Sequence, residues 1–548
     1  MATEIKENKK QSFVSGALVS SAGVFFAKLI GLLYCIPFDS ILASNANVEY
    51  YGTTQVLYSY LLNVCQAGFP FAIATLIARY ISKEDYKTCL LVKKLSSRLM
   101  ISMGFAMMLL LIVFSKPVAN TIYAGEGNAS DFRFALICSA FALFFVPVLS
   151  SMRGFYQGLK EMEIYSFSQV LEQLTNAAFT LGASALAVYV FAQDTLWAVF
   201  LGVLATSVAA IVAMFHLKIN ERKKVAEMKE LALQQQNEIY VKGKDILLEL
   251  LHVSIPFMII AILGYSDSII NVLFLNKGLE AYGCSPADIT LISSTINFKA
   301  QKLMSIPMVL APGFSSAIIP HITSAITKKD YSLVRKNISQ CLDIVLYIAI
   351  PVSLCLAIFS QPLIASLFPP ENIKELPQVA TILATFSLVA FVDTLQPILT
   401  SLLVSCGLRK KSVWIMVIQV LIKFSLSYFM LAHFSYVGLV ASTLISTGVC
   451  IGMSIYQFRK HFKLRLKYSL RRLLIIIVAC GCMSLCAFIL FKIGLGYQLG
   501  DSRIFAFIKM GASGLISVLV YFAITYVFGL PQLLLNLDIK KMIQKLKR

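Results

Sequence analysis

Apolar runs of about twenty residues recur from one end of this chain to the other, each long enough to carry an α-helix across roughly 30 Å of hydrocarbon at about 1.5 Å per residue. Inside lipid every backbone donor and acceptor must be satisfied within the segment, so such runs fold as helices. Of the 548 residues 58% are hydrophobic and 14% charged, and the mean hydropathy is +0.77. A soluble protein holds roughly 25% charged residues. The expected class is all-α and polytopic. About fourteen helices are predicted, near 13–38, 52–81, 96–122, 132–156, 164–192, 194–217, 250–276, 289–324, 338–366, 377–407, 412–433, 435–458, 470–495 and 503–530. The polar start MATEIKENKKQ leads into a full-length apolar segment without a small-residue cleavage site, so the first helix is expected to be retained.

A net charge of +20 raises the question of nucleic acid, and the placement of the cations answers it. They alternate between loops. Every second gap is basic: Lys83 to Arg98, Arg153 and Lys160, Lys218 to Lys244, Lys328 to Lys336, Arg409 to Lys411, and Arg459 to Arg472. The other gaps hold few cations, chiefly Lys116, Arg133, Lys277, Lys374 and Arg503. By the positive-inside rule both termini are cytoplasmic, and the excess charge faces anionic membrane lipids. No nucleic-acid partner is expected. The twelve cysteines form no zinc-type pattern and read as small apolar helix residues.

The chain also repeats itself. GFPFAIATLIARYISKEDY, ending at Tyr86, is echoed by GFSSAIIPHITSAITKKDY, ending at Tyr331. FSKP at Phe114–Pro117 returns as FSQP at Phe359–Pro362, the same distance downstream. LSSMRGFYQGLK followed by SQVLEQ returns as LTSLLVSCGLRK followed by IQVLIK, so that Gln169 answers Gln419. Two copies of a six-helix unit are expected, inserted in the same orientation because each holds an even number of helices, with a cavity between them. The expected layout is a cytoplasmic tail at 1–12, an N-terminal lobe at 13–217, a cytoplasmic linker at 218–249, a C-terminal lobe at 250–460, an extra helix pair at 461–530 and an amphipathic basic tail at 531–548. The linker reads as a flexible tether carrying a surface helix. The extra pair reads either as a brace or as the wall of a lipid-facing groove.

Charges inside the predicted spans are few. The stretch from Asn297 to Thr323 carries Lys302, Pro307, Pro312 and Gly313 in a segment long enough to span. An ammonium near the middle of a spanning helix costs about 2.5 to 3.5 kcal/mol, and prolines free backbone carbonyls, so this helix is expected to line a polar cavity. Lys28 sits near the centre of the first span. For Lys28 and Lys302 the reading is a substrate cavity, against structural pairing with buried carboxylates. Asp267 and Lys423 are mid-helix in the seventh and eleventh spans, with roles in ion coupling or in pairing with one another. Glu172 and Asp393 lie nearer the cytoplasm, where water from a cavity mouth reaches them. Arg79 is expected to anchor at the headgroups, and Lys509 to face headgroups or a groove. The five histidines are scattered, and there is no phosphate loop or HExxH motif, so neither enzymatic chemistry nor a cofactor is expected. Transport would be driven by an ion gradient, the membrane potential or the substrate gradient.

The AKLIG segment at Ala27–Gly31, RGFYQGLKEMEIYSFSQVLEQ at Arg153–Gln173, and KLMSIP followed by SSAIIPHITSAI resemble the polysaccharide-transporter branch of the multidrug/oligosaccharidyl-lipid/polysaccharide (MOP) exporter superfamily. The likeness is greatest to MurJ-type lipid II flippases of Gram-positive bacteria and extends over nearly the whole chain. It implies a V-shaped transporter that moves an undecaprenyl-pyrophosphate-linked saccharide to the outer leaflet by alternating access. It also implies cell-wall synthesis enzymes as partners, and cavity cations that meet the pyrophosphate. Lys28 and Lys302 match two such positions, as lysines where arginine is common. A second-helix cation has no match near Leu62 and Asn63, and Tyr34 stands where a further first-helix cation is found. Relatives that bind sodium do so with a seventh-helix aspartate and an eleventh-helix carboxylate; Asp267 matches the first, while Lys423 offers a fixed ammonium, so sodium-independent flipping is expected. Sibling cargoes (capsule or teichoic acid precursors), a multidrug cation antiporter and a non-transporting scaffold are the competing readings.

Overall fold

A computed structural model describes residues 27–535 except 28, 124–128, 236–240, 308–321, 323–324, 327, 465–466 and 499. Helices and short connections make up the described residues, and ten of these helical segments are long and apolar enough to cross a membrane. Large apolar side chains such as Val113, Phe114, Phe488 and Leu515 point outward, as lipid-facing surfaces require. The chain divides into two compact units, Met1–Leu273 and Phe274–Arg548.

In the first unit, α1 (Cys35–Leu42) is followed by α2 (Asn45–Gln66), α3 (Phe69–Ile81), α4 (Tyr86–Ile122), α5 (Ala129–Gly158), α6 (Met162–Ala185), α7 (Leu196–Gln234) and α8 (Gly243–Gly264). The RGFYQG motif owes its glycines to packing. A Cβ on Gly158 would lie 2.6 Å from Ile77 Cβ, and one on Gly154 would lie 2.9 Å from the Pro70 carbonyl oxygen. Small residues four apart thus let α5 approach α3 at backbone distance.

The 39-residue α7 is about 58 Å long, roughly twice the hydrocarbon thickness, so it continues well beyond a span into the expected linker. Residues 218–234 are therefore rigid helix and not a tether. Ion pairs pin them to the same unit: Lys93 with Glu221, and Lys224 with Glu161 at 3.0 Å. Beyond the helix, Gln235 Oε1 accepts the Lys87 backbone N–H at 3.1 Å.

α9 (Ser266–Tyr282) runs through the division between the units. The second unit continues with α10 (Pro286–Ser294), α11 (Tyr331–Ile358), α12 (Ser360–Leu367), α13 (Leu376–Ser405), α14 (Arg409–Phe462), α15 (Lys467–Leu490), α16 (Arg503–Val527) and the short α17 (Leu530–Leu535). α14 covers the two spans expected at 412–433 and 435–458. Its backbone breaks at Ser435 (φ 53°, ψ −148°), and the arms fold back on one another, so that Lys411 Nζ lies 2.7 Å from His461 Nε2. Pro312, Gly313 and most of the stretch 297–323 beyond residue 307 lie outside the described residues, as does the basic tail beyond 535.

The repeated sequence makes repeated local structure. Before α4, Glu84 (φ 57°) turns the chain and Asp85 accepts the Thr88 N–H at 3.0 Å. Before α11, Lys329 (φ 56°) does the same and Asp330 accepts from Ser332 and Leu333 at 3.1 and 3.0 Å. The shared Asp-Tyr pair is a helix N-cap, and its carboxylate satisfies amides that the first turn leaves unpaired.

The extra pair, α15 and α16, braces α11. Arg472 bonds to the buried Asp343, Tyr521 O–H donates to the Tyr347 carbonyl at 2.8 Å, and Tyr347 Oη lies 3.0 Å from Thr525 Oγ1. Ile476, Ala479, Met483 and Tyr521 close an apolar cluster with Ile344 and Tyr347. Lys509, expected to face headgroups or a groove, is instead 8% exposed and donates to Asp501 Oδ1 and Oδ2 at 3.1 and 2.9 Å, with the Phe505 ring 4.5 Å away.

Candidate functional site

In the second unit, α10 passes into a π-helical turn at Thr295–Ala300 and resumes as α-helix through residue 307. Lys302 follows the turn. It is half-buried, and its ammonium sits 5.9 Å from the centre of the Phe298 ring. The ring quadrupole attracts it there. Phe298 is itself buried and packs edge-on against Phe368, with 6.0 Å between centroids. One turn earlier stands Lys299, only 2% exposed, which the sequence reading passed over. A second lysine three residues before Lys302 was the available signal. Lys28 lies outside the described residues.

Asp267 opens α9 just after the break at Tyr265, is half-buried, and accepts from Asn271 Nδ2 at 3.2 Å. It belongs to the first unit and Lys423 to the second. Lys423, on the first arm of α14, is 1% exposed. Its ammonium reaches the second arm, donating to Ser442 Oγ at 3.1 Å, to Thr443 Oγ1 and to the Leu439 carbonyl at 3.4 Å. One turn away Gln419 continues the polar row. Its Nε2 donates to Thr447 Oγ1 and its Oε1 accepts from Gln396 Nε2, each at 3.2 Å. Asp393 is half-buried on α13, three residues before Gln396.

Glu172 on α6 is ion-paired with Arg153 of α5 at 2.8 Å, in a site where the side chains are 14% and 11% exposed. Arg153 Nε donates to Ser168 Oγ at 2.9 Å, so the guanidinium is held at two points. The motif that places glycines against α3 therefore also carries a mostly buried cation. Arg79, expected at the headgroups, pairs with Glu249 of α8 at an exposed position.

The family model described as "Polysaccharide biosynthesis protein" matches residues 13–326, more than half of the chain, and the MatE model matches 299–429. "Lipid II flippase MurJ" of Bacillus subtilis (strain 168) is 24% identical over 528 residues, 95% of this chain and 96% of that protein. "Stage V sporulation protein B" of the same organism is 21% identical over 341 residues, 62% of this chain and 63% of that protein. Among solved structures, lipid II flippase MurJ in an inward closed conformation superposes with a TM-score of 0.67 at 13% identity, covering 93% of this chain and 98% of the other. An inward-facing multidrug resistance MATE family transporter gives 0.64 at 14%, covering 80% and 95%. Identities this low establish that the chain shares the fold of these solved transporters. With its apolar helices, the protein is a multi-pass component of the bacterial cell membrane. The chain belongs to the polysaccharide biosynthesis protein family.

Proposed function

We propose that this protein is a flippase that carries an undecaprenyl-pyrophosphate-linked saccharide, lipid II, from the inner to the outer leaflet by alternating access. The observation that carries the reading is the end-to-end likeness to lipid II flippase MurJ of Bacillus subtilis, over 95% of this chain. Lys302, half-buried in the eighth predicted span, supports it, because an ammonium inside a membrane needs an anion or a wet surface to justify its cost. In this reading Lys28 and Lys302 meet the pyrophosphate. A lysine is a point charge without arginine's fork, so the phosphates are held with little geometric demand. The two lobes span 13–217 and 250–460, both termini are cytoplasmic, and anionic lipids and wall-synthesis enzymes are neighbours. Asp267 and Lys423 serve coupling, with the Lys423 ammonium in place of a bound cation, and Glu172 and Asp393 complete the set of intramembrane acids.

Complementation of a strain depleted of its lipid II flippase tests the cargo. Rescue by the wild-type chain and failure of Lys28→Ala with Lys302→Ala is the expected outcome. Growth of the double variant at the wild-type rate removes the phosphate role. A flippase for a capsule or teichoic acid precursor is the second reading, favoured by the family description; it predicts no rescue in this strain and rescue in one lacking that transporter.

A further inference from the structure

Gln169 and Gln419 hold matching places in the two copies, and the protein satisfies only the second. Both ends of the Gln419 amide are bonded, to Thr447 and to Gln396. Gln169 Nε2 donates to Tyr165 Oη at 3.2 Å, but its Oε1 is buried and has no hydrogen-bond partner among the described residues. Two more buried polar atoms of the first unit share that condition. Arg153 spends Nε on Ser168 and Nη1 on Glu172, which leaves Nη2 without an acceptor. On α2 the hydroxyl of Tyr58, a residue 5% exposed and within electrostatic reach of Glu172, is likewise unpartnered. Folded proteins rarely leave such atoms unpaired, because each has given up water and received nothing for it.

These atoms belong to one cluster. Ser168, Gln169 and Glu172 follow one another on a single face of α6, and the Arg153 guanidinium is bonded to the first and last of them. Gln169 and Glu172 are partly exposed, so the cluster can be approached, while Tyr58 lies deeper. Its charge says what fits. Arg153 and Glu172 neutralise one another, so neither a phosphoryl group nor a cation meets a free counter-charge here. What is left open is a mixed set: guanidinium donors, an amide oxygen that only accepts, and a phenol that does either. The matching occupant is neutral and carries donors and acceptors on neighbouring atoms, as the adjacent hydroxyls or the acetamido group of a sugar do. We propose that Tyr58, Arg153 and Gln169 form a saccharide subsite, in which Arg153 Nη2 donates to a sugar oxygen and Gln169 Oε1 accepts a sugar O–H or N–H. This rests on the flippase reading above and adds a contact to the sugar, separate from any contact to the pyrophosphate. Glu172 is then a positioning residue that holds the guanidinium in place.

The test uses the full-length protein in detergent and compares its thermal unfolding with farnesyl pyrophosphate and with farnesyl pyrophosphoryl-N-acetylglucosamine, which differ only in the sugar. The wild type should bind the glycosylated compound about ten-fold more tightly. Tyr58→Phe and Gln169→Met should each cut that preference by about three- to ten-fold, the worth of one hydrogen bond between neutral groups, and bind farnesyl pyrophosphate as the wild type does. Without ligand Tyr58→Phe should be at least as stable as the wild type, because it deletes a buried hydroxyl that has no partner. A lower midpoint of unliganded Tyr58→Phe reveals a structural role for the hydroxyl and overturns the proposal. A wild type that binds both compounds equally, or variants that keep its full preference, show that water alone fills the cluster; they overturn the subsite and leave the flippase reading standing. Binding of neither compound by the wild type overturns both.

Discussion

The segment SQVLEQ on α6 and its counterpart IQVLIK on α14 hold matching places in the repeat but treat charge differently. In the first unit Glu172 is neutralised by Arg153, one helix away. In the second, the residues at those places are Ile422 and Leu403, and Leu403 is sealed at 1% exposure in an apolar cluster with Leu399, Leu402 and Ile415. The second copy instead carries Lys423, where the first has Gln173, and bonds it to hydroxyls on the opposite arm of a hairpin. Duplication kept the helices and rewrote the charges. A role assigned to a residue in one copy therefore does not transfer to its counterpart.

The largest effect should come from breaking the first-unit pair. Glu172→Ala strands a mostly buried guanidinium, at a cost of about 3 to 5 kcal/mol. A lower unfolding midpoint of the purified protein reports it. Giving both positions the second copy's residues, Arg153→Leu with Glu172→Ile, should recover most of that loss, because an apolar pair of suitable volume replaces a buried ion pair at little net cost. A double variant as unstable as the single one would show that the two solutions are not interchangeable.

Lys423→Ala probes the other side of the comparison. Removing the ammonium leaves buried hydroxyls without their donor, a loss of about 1 to 3 kcal/mol. In vesicles, flipping by the wild type should be equal with and without a sodium gradient, while the variant becomes sodium-sensitive or inactive. Strict sodium dependence of the unmutated protein sinks this assignment.

The smallest effect belongs to the pair between α15 and α16, the third way in which this protein holds a charge. The Gln498 N–H, 2.8 Å from Oδ2, and the Lys509 ammonium hold the Asp501 carboxyl below the usual carboxylate range. A depressed carboxyl stabilises the folded state above its unfolded pKa of about 3.9, and that stabilisation fades as pH falls through the lower folded value. Hydrogen exchange around residues 498–503 should quicken below about pH 4 in the wild type, and Asp501→Asn should remove that pH dependence. An unchanged profile in Asp501→Asn would place the titrating group elsewhere.

Much of this was legible without coordinates. Span length, hydropathy and the repeat depend on residues close together in the chain, and so does the Asp-Tyr cap that starts α4 and α11. The hairpin break at Ser435 falls at the junction of the two spans read at 412–433 and 435–458. The anomaly of Lys302 was equally plain, because an ammonium in an apolar run is conspicuous whatever surrounds it.

The partners of the charges were not legible. Arg153 read as a loop cation until α5 carried it inward against Glu172, nineteen positions on, and Lys423 found its hydroxyls only when the hairpin closed. Lys299 drew no notice because burial is a property of neighbours, and the π turn that hides it departs from the 3.6-residue period on which helix faces are read. The rigid run of α7 past the span and the bracing of α11 by the extra pair likewise depend on distant contacts. The sequence by itself determined the solvent this chain lives in, its helices and its duplication, since each follows from local hydrophobicity and period. Tertiary structure alone decided which charge is neutralised and which is bonded to hydroxyls, since electrostatic cost is set by whatever stands within a few ångströms, and only the fold brings those groups together.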